Sequence, residues 1–255
     1  MQNDYCYPNS NVLINNLNIK EKDKLLQAEI DFTSVRLREL EEKSINGNFD
    51  FKHLKAIHKY IFQDLYEWAG KERHCELSKS NSLFCTLSCL SSYAESIFNN
   101  YYPECKAAKT RDEFISALAK NYGDLNALHP FREGNGRAQR EFARELCEHF
   151  GYAFDLNKTT HEEMVRASKF SLEMADSSLL RTIFQDAIIS MDEYIKQNDY
   201  LQILSMNDLN VQEDNYEYYY SDNIDVYNNI YKEKIKQLNS NKKIREAKEY
   251  INNTK

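Results

Sequence analysis

The sequence predicts a mainly α-helical protein, a helical bundle that carries one small β-hairpin. Apolar residues recur at helical spacing along most of the chain, and its 255 residues include only six glycines and three prolines. Few turn-forming residues and 42% hydrophobic content favour long helices packed around one core. Residues 73–85 instead alternate polar and apolar side chains around a polar turn at 78–81, which predicts a hairpin.

The first helices follow an entry segment that ends at about Lys20. Apolar residues at helical spacing then predict one helix: Leu26, Ile30, Leu37 and Leu40. Asn46-Gly47-Asn48 is a typical breaker and ends this pattern. We expect a second helix at residues 51–68 and a third at residues 91–100, so the hairpin lies between helices.

A helix with a well-marked start and end precedes the most informative part of the chain. Its apolar face consists of Phe114, Leu118, Tyr122 and Leu125. Thr110 with Glu113 fits a capping box at its start. Pro130 ends it at about His129, because proline disfavours helical geometry at the residue before it.

The next helix begins near Arg137, so these two elements form a helix-loop-helix. Its buried stripe recurs every four residues: Ala138, Phe142, Leu146 and Phe150. Phe131, in the loop, is expected to anchor that loop on the core. Further helices should occupy residues 160–195, with Thr160 and Glu163 as a second capping box.

The loop between these two helices concentrates residues suited to binding phosphate. Gly134-Asn135-Gly136 stands just before the second helix, where backbone N–H groups and the helix dipole attract anions. Glycine also lets the backbone approach a phosphate closely. Arg137 and Arg140, on one helical face, supply planar donors that suit phosphate oxygens. The segment therefore predicts a phosphate cradle.

Two further side chains of this segment could supply the chemistry of a reaction. Glu133 offers hard oxygen ligands beside the phosphates, which suits a magnesium ion that keeps several waters and is shared with a nucleotide. Histidine changes charge close to neutral pH, so His129 can accept the proton of an attacking hydroxyl.

Each of these residues has an ordinary structural interpretation when it is taken alone. A single histidine at a helix end is more often a cap or a surface residue, and Gly-Asn-Gly is an ordinary turn. Arg137 and Arg140 alone would form a solvated face. The combination, at fixed spacing on a helix-loop-helix, favours a functional site.

Residues 129–140 match the signature of the Fic (Fic/Doc) family, His-x-Phe-x-(Asp/Glu)-Gly-Asn-Gly-Arg-x-x-Arg, at every specified position. The resemblance extends to Asn126-Ala127-Leu128, to Glu141-Phe142, and to residues 58–70, His-Lys-Tyr-Ile-Phe-Gln-Asp-Leu-Tyr-Glu-Trp-Ala-Gly. It covers about residues 5–195. The chain resembles the bacterial toxin-type branch, and the resemblance implies a Fic-fold helical bundle whose hairpin is a flap over the active site.

The resemblance also implies an activity, the transfer of AMP from ATP to a Tyr, Ser or Thr hydroxyl of a target protein with release of pyrophosphate. The usual name is AMPylation, and the enzyme is a protein adenylyltransferase. By carry-over, His129 would be the general base and Glu133 would bind Mg²⁺. The nucleotide-binding residues would be Gly134, Asn135 and Gly136 for the reacting phosphate, Arg137 for the β-phosphate and Arg140 for the γ-phosphate.

Other members of the family set the alternatives. Doc-like kinases transfer the γ-phosphate and carry a different residue pair in the glycine turn, so Gly134 and Gly136 argue against that branch. Members that use another nucleotide or a choline-bearing donor remain open, because the base pocket lies outside the motif. A third alternative is a non-catalytic Fic-fold protein that binds nucleotide or a partner; the intact His129, Glu133 and Arg140 favour an enzyme.

Regulation and partners follow from the same resemblance. Many Fic proteins are restrained by a helix bearing (Ser/Thr)-x-x-x-Glu-(Gly/Asn), but Ser34, Ser91 and Thr159 each begin an incomplete copy. This favours the toxin-type branch, in which a separate small antitoxin supplies the inhibitory Glu helix. Toxin-like relatives modify type II topoisomerases, so such a subunit is the expected target. The flap would clamp it by β-augmentation; the alternative is a merely stabilising surface hairpin.

Composition bears on compartment and on partner class. The net charge of −7 argues against direct nucleic-acid binding. No run approaches the roughly 18 apolar residues of a membrane helix, and residues 1–20 lack an apolar signal core. The six cysteines show no Cys-x-x-Cys pair, which favours reduced thiols. We expect a cytoplasmic protein with no membrane partner; secretion into a host cell stays open.

The character of the chain changes after about residue 198, where the resemblance stops. Residues 213–220 are acidic and tyrosine-rich, and residues 232–248 are basic. We therefore expect a catalytic domain at residues 1–197 and a partly helical tail at residues 198–255. The tyrosines are candidates for self-modification, against the alternative of a solvated linker.

Overall fold

The computed structural model describes residues 4–79 and 82–197. Its helices are α1 Lys22–Glu42, α2 Phe51–Phe62, α3 Leu90–Ala107, α4 Arg111–Leu128, α5 Asn135–His149, α6 His161–Met174 and α7 Ser178–Ala187. Its strands are β1 Ser78–Lys79, β2 Ser82–Leu83, β3 Tyr152–Phe154 and β4 Ile188–Ser190. The predicted helical bundle with a small hairpin is confirmed. The predicted tail, residues 198–255, lies outside the described residues.

The core is built around α4 and α5. Helix α4 packs against α3, α5 and α7, and α5 packs against α2 and β3. Phe142 of α5 is fully buried, with its ring 5.7 Å from that of Phe98 and 5.4 Å from that of Tyr101, both on α3. Aromatic pairs at these distances stabilise a core beyond the area that they bury. The two helices of the predicted helix-loop-helix are therefore held rigidly on both sides.

Helix α4 has the boundaries that its sequence predicts. Both hydrogen bonds of the Thr110–Glu113 capping box are present. The helix ends at Leu128, and His129 adopts a left-handed conformation with φ 46° and ψ 61°. The chain thus turns sharply at His129, before Pro130. The second predicted capping box, at the start of α6, is also present.

Helix α5 begins at Asn135, earlier than the predicted start near Arg137. Gly134 has φ +76°, and this left-handed residue turns the chain directly into the helix. The Asn135 side chain then bonds back to both backbone groups of Phe131, which holds the first turn in place.

Three other helix predictions needed adjustment. In α1 the buried stripe includes Leu25 rather than Leu26, which is only half-buried. Helix α2 ends at Phe62 instead of residue 68, because the chain then folds into turns that lead to Gly70, where φ is +77°. Helix α3 continues to Ala107, well past the predicted end at residue 100, since its buried face extends through Cys105.

The sequence predicts one of the two small sheets and not the other. The hairpin predicted at residues 73–85 is present as β1 and β2, paired antiparallel in the register Ser78↔Leu83. The antiparallel pair β3–β4 was missed, and residues 188–190 were wrongly predicted as helix. A pairing between strands so far apart in sequence leaves no local signal, because it depends on how the intervening helices pack.

The part of the chain that the structure describes contains neither a membrane-spanning helix nor a disulfide. None of its helices is long and apolar enough to cross a membrane. Its six cysteines are all free thiols.

Replacing Thr110 by Ala should lower the free energy of unfolding by about 1 kcal/mol, because α4 would lose the side-chain acceptor for the Glu113 N–H. Urea unfolding measures this. Thr182→Ala is the matched control: Thr182 is exposed and its hydroxyl bonds only to the Ser178 carbonyl within α7. That change should cost less than about 0.5 kcal/mol, and equal losses in the two variants would contradict the capping role.

Candidate active site

His129, the predicted base, stands at the C-terminal end of α4 and at the start of the loop that leads to α5. It is half-buried, and its imidazole stacks on the ring of Phe84 with centroids 3.7 Å apart and an interplanar angle of 14°. Phe84 directly follows β2 of the hairpin. The hairpin therefore provides one wall against which the imidazole is held flat.

Arg73 fastens the base of the hairpin to this loop. Its side chain is fully buried, and its guanidinium donates to the carbonyls of Cys75 and Cys85, one on each side of the hairpin. Its Nε donates to the carbonyl of His129 at 2.8 Å, and its backbone N–H donates to the carbonyl of Pro130 at 2.8 Å. One cation thus ties both arms of the hairpin to the candidate base.

The Asn135 side chain closes the loop between the helices from the other end. Its Oδ1 accepts from the Phe131 N–H at 2.9 Å, and its Nδ2 donates to the Phe131 carbonyl at 2.7 Å. Phe131 itself is buried, which confirms the predicted anchor. Because these bonds use the side-chain amide of Asn135, the group that it leaves for the predicted anion site is its backbone N–H, in the first turn of α5.

Position 134 requires a glycine, both for its backbone conformation and for the space around it. Its φ of +76° is one that side-chain-bearing residues rarely adopt. A Cβ added there would lie 2.1 Å from Cζ of Phe62. Its N–H donates to Oε1 of Glu133 at 3.0 Å, so an anionic oxygen already occupies this donor.

Arg137 extends from α5 toward α1. Its Nη2 lies 2.9 Å from Oε2 of Glu29, both side chains are buried, and its guanidinium lies 4.6 Å from the ring centre of Phe62. The Tyr66 hydroxyl donates to the other oxygen of Glu29. Burial and the adjacent Glu29 carboxylate raise the pKa of Tyr66 well above its usual value, so this hydroxyl stays protonated.

Arg140 lies one turn further along α5 and is also buried. The predicted magnesium and nucleotide ligands all lie on the loop or on the first two turns of α5: Glu133, Gly134, Asn135, Gly136, Arg137 and Arg140. The fold therefore brings the predicted residues to one helix start, beside His129. Whether each has its predicted role in binding or catalysis stays a prediction.

Sequence reasoning gave no role to four residues that build this site: His58, Glu29, Arg73 and Phe84. His58 lies in the segment that carried the resemblance, and Glu29 is a charged residue on the buried face of α1. A charge on an otherwise apolar stripe is a usable signal, because such residues are almost never buried unless they are paired. The sequence spacing, however, does not reveal which residue pairs with Glu29.

Magnesium fits the donor set of the loop. Glu133 is half-buried, and its carboxylate faces the start of α5. Among the described residues, no group of three or more His, Cys, Asp or Glu is placed to hold a metal. One carboxylate beside a glycine turn at a helix start suits Mg²⁺, which takes most of its ligands from water and from substrate phosphates.

An open hollow of about 510 Å³ lies beside the hairpin, between it and helices α3 and α6. Its lining includes Leu83, Phe84, Cys85, Tyr93 and Leu172. Phe84 thus contacts this hollow as well as the imidazole of His129. Leu83, at the hairpin edge, is 74% exposed.

Comparison with known proteins agrees with this geometry. The model of the Fic/DOC family matches residues 48–147. Protein adenylyltransferase VbhT of Bartonella schoenbuchensis is 42% identical over 165 residues, which are 64% of this chain and 34% of VbhT. This chain therefore spans about a third of the length of that relative. A relative from Salmonella typhimurium, named "Probable protein adenylyltransferase Fic", is 34% identical over 185 residues, 72% of this chain and 91% of the relative.

A solved structure shows the same fold. The N-terminal Fic domain of a VirB-translocated Bep effector protein from Bartonella quintana, solved with bound ADP, has a TM-score of 0.68 and 25% identity. The match covers 75% of this chain and 97% of that domain. The complete signature on the loop between α4 and α5, the shared fold and a relative matched over nearly its whole length show that this chain belongs to the Fic/DOC family.

Proposed function

We propose that this chain is a protein adenylyltransferase that moves AMP from ATP to a Tyr, Ser or Thr hydroxyl of a target protein and releases pyrophosphate. The observation that carries the proposal is the arrangement of one short loop: a histidine stands at its start, at the end of α4, and a glycine-rich helix start that bears two arginines stands at its end. Relatives named protein adenylyltransferase and the ADP in the Bartonella quintana domain support the reaction and the nucleotide.

His129 acts as the general base in the proposed reaction. Its imidazole takes the proton from the target hydroxyl, whose oxygen forms a bond to the α-phosphorus of ATP. The bond from that phosphorus to the oxygen bridging to the β-phosphate breaks, and its electron pair leaves with pyrophosphate. The stack on Phe84 fixes the plane of the imidazole, so little reorientation is needed when the hydroxyl arrives.

The start of α5 stabilises the charge that develops on the phosphates. Backbone N–H groups of Gly134, Asn135 and Gly136 form the anion hole, aided by the positive end of the helix. Arg137 holds the β-phosphate, with its guanidinium oriented by Glu29, and Arg140 holds the γ-phosphate. Glu133 would hold Mg²⁺, which neutralises phosphate charge when it is bound.

The hairpin, with the hollow beside it, is the surface on which the target docks. An extended target segment pairs with the exposed edge of the hairpin, where Leu83 is exposed. The hollow behind Leu83 and Phe84 receives a side chain of that segment. This arrangement brings a target hydroxyl toward His129, because Arg73 joins the base of the hairpin to the His129 backbone.

The regulatory proposal is that this enzyme is a toxin-type adenylyltransferase. A separate antitoxin protein with a glutamate-bearing helix holds it inactive, and the target is a subunit of a type II topoisomerase in the bacterial cytoplasm. A host-directed alternative is favoured by one observation, the description of the Bartonella quintana relative as a VirB-translocated effector. The two alternatives predict labelled bands in different lysates.

The experiment that tests the activity uses the purified chain, Mg²⁺ and α-labelled ATP, in parallel with bacterial and eukaryotic lysates. A labelled protein band supports AMP transfer, and the lysate in which it appears separates the toxin from the effector alternative. Labelled UTP, GTP, CTP and a choline-bearing donor are run beside ATP. If one of these donors labels a protein and ATP does not, that donor replaces ATP in the proposal. If neither ATP nor any of these donors labels a protein, transferase activity is contradicted.

His129→Ala should abolish AMP transfer while leaving ATP binding largely intact, because the base is removed and the start of α5 is unchanged. Transfer of label and titration calorimetry with Mg–ATP measure the two quantities. His149→Ala, at the exposed far end of α5, is the matched control and should retain transfer. An active His129→Ala enzyme would remove His129 from the role of base.

Gly134→Ala should destabilise the fold and abolish most transfer. Gly151→Ala is the matched control: Gly151 has φ +82°, but an added Cβ meets nothing within 4 Å. That control should lose about 1 kcal/mol through left-handed strain alone and keep its activity. Gly134→Ala should lose about 1–3 kcal/mol more in urea unfolding, because Phe62 must move. Equal losses would show that the contact with Phe62 is unimportant.

A further inference from the structure

His58 of α2 lies directly beneath the phosphate-binding loop and is fully buried. Its imidazole stands between two phenylalanine rings, with centroids 3.8 Å from Phe131 and 4.7 Å from Phe62. Phe131 belongs to the loop, and Phe62 lies under Gly134. The plane of the imidazole is therefore fixed by these two rings, which belong to the floor of the site.

Both nitrogens of this imidazole have backbone partners, and these partners define its protonation. The Gly70 N–H donates to Nδ1 at 2.8 Å, so Nδ1 is the acceptor. Nε2 therefore carries the proton and donates to the carbonyl of Glu133 at 2.9 Å. A neutral ring with this proton placement satisfies both contacts, whereas a protonated ring would have no acceptor for the Gly70 N–H.

The carbonyl that His58 holds belongs to the same peptide unit as the N–H of Gly134. A peptide unit is planar and trans, so its C=O and N–H point in opposite directions. Fixing the Glu133 carbonyl toward His58 therefore aims the Gly134 N–H at the opposite side. An anionic oxygen, Oε1 of Glu133, already accepts from that N–H at 3.0 Å. The N–H of Gly134 therefore points to the side of the loop away from His58, where an anionic oxygen can accept it.

This peptide unit needs an external partner to keep that orientation. Glycine tolerates both signs of φ, so a peptide that precedes glycine can rotate without a steric penalty from a side chain. The Glu133–Gly134 peptide is of this kind. No larger residue could replace Gly134 to restrict its rotation, because Phe62 occupies the space that a Cβ would need. The hydrogen bond from His58 to the Glu133 carbonyl favours one of the two orientations.

We propose that His58 is a positioning residue: its Nε2–H holds the Glu133–Gly134 peptide so that the Gly134 N–H points into the anion hole. The catalytic consequence rests on the proposed AMP transfer, whereas the orientation of the peptide does not. The second nitrogen, bonded to Gly70, sets the tautomer and anchors the imidazole to the turn at the end of residues 58–70.

Two amide substitutions separate the roles of the two nitrogens. Gln places its amide nitrogen where histidine carries Nε2, so His58→Gln keeps the donor to Glu133 and loses the acceptor for Gly70. Asn places its amide oxygen near Nδ1, so His58→Asn keeps the Gly70 contact and loses the donor. Both variants lose the aromatic stack, and His58→Asn also loses one methylene more than His58→Gln. A purely structural role therefore predicts that any loss of transfer rate follows the loss of unfolding free energy, which urea unfolding measures for both variants.

The kinetic test measures the initial rate of α-labelled AMP transfer at saturating Mg–ATP, and the ATP concentration for half-maximal rate. His58→Gln should stay within about threefold of the original rate. His58→Asn should fall roughly 100-fold, the effect of losing one anion-hole donor, with a much smaller change in half-saturation. Equal rates in the two variants, or a larger loss in His58→Gln, would overturn the proposal.

The structural test is independent of activity. Hydrogen–deuterium exchange of a peptide covering residues 131–137 should be at least about tenfold faster in His58→Asn than in His58→Gln, since an unanchored peptide unit opens more often. Equal exchange overturns the proposal even if the original chain transfers no AMP. An inactive original chain with the exchange difference present would contradict the proposed function and support the positioning role.

A third variant covers the case in which both amide variants unfold. His58→Phe retains an aromatic ring between Phe62 and Phe131 but offers no donor. It should fold, exchange quickly at residues 131–137 and lose roughly 100-fold in transfer rate. Full activity together with slow exchange in this variant would show that the donor is unnecessary.

Discussion

The structure depends on satisfying the backbone of one irregular loop, residues 129–134, between α4 and α5. A buried backbone group without a partner costs free energy, and this loop belongs to no helix or sheet that could supply partners. Side chains supply partners instead, from Arg73 at the base of the hairpin, His58 of α2 and Asn135 of the first turn of α5. The backbone N–H of Arg73 adds one more, to the Pro130 carbonyl. The loop is therefore shaped by three separate parts of the chain, and its shape determines where the candidate base and anion hole lie.

The same packing explains why charges are buried around the site. Removing one partner of a buried ion pair is strongly destabilising, while the intact pair adds little net stability. Glu29 and Arg137 form such a pair, and Tyr66 supplies a further hydrogen bond. The pair connects α1 to the first turn of α5 and gives Arg137 one defined direction. Its value to the protein lies in orientation more than in stability, which suits a residue that is proposed to bind phosphate.

The hairpin is linked to the candidate base more closely than its small size suggests. Phe84 stacks on the imidazole of His129, and Arg73 bonds to the backbone of the same residue. A target segment that adds to the hairpin edge, as proposed, would therefore contact a unit that already includes the candidate base. Both the loop and the hairpin are rigidly attached at their ends, whereas the exposed Leu83 at the hairpin edge is available to a partner.

The sequence by itself determined the mainly helical fold, the ends of α4, the hairpin and the gathering of the motif residues at one helix start. These features depend on signals within a turn or two of the chain, such as the cap at Thr110 and the break at Pro130. It also gave the signature that identified the family. Only the tertiary structure decided the β3–β4 pairing, the partner of Arg137 and the contact of His58 with the Glu133 carbonyl. These contacts join residues far apart in sequence, and they exist because packing of the helices brings buried polar groups together, each of which must then find a partner.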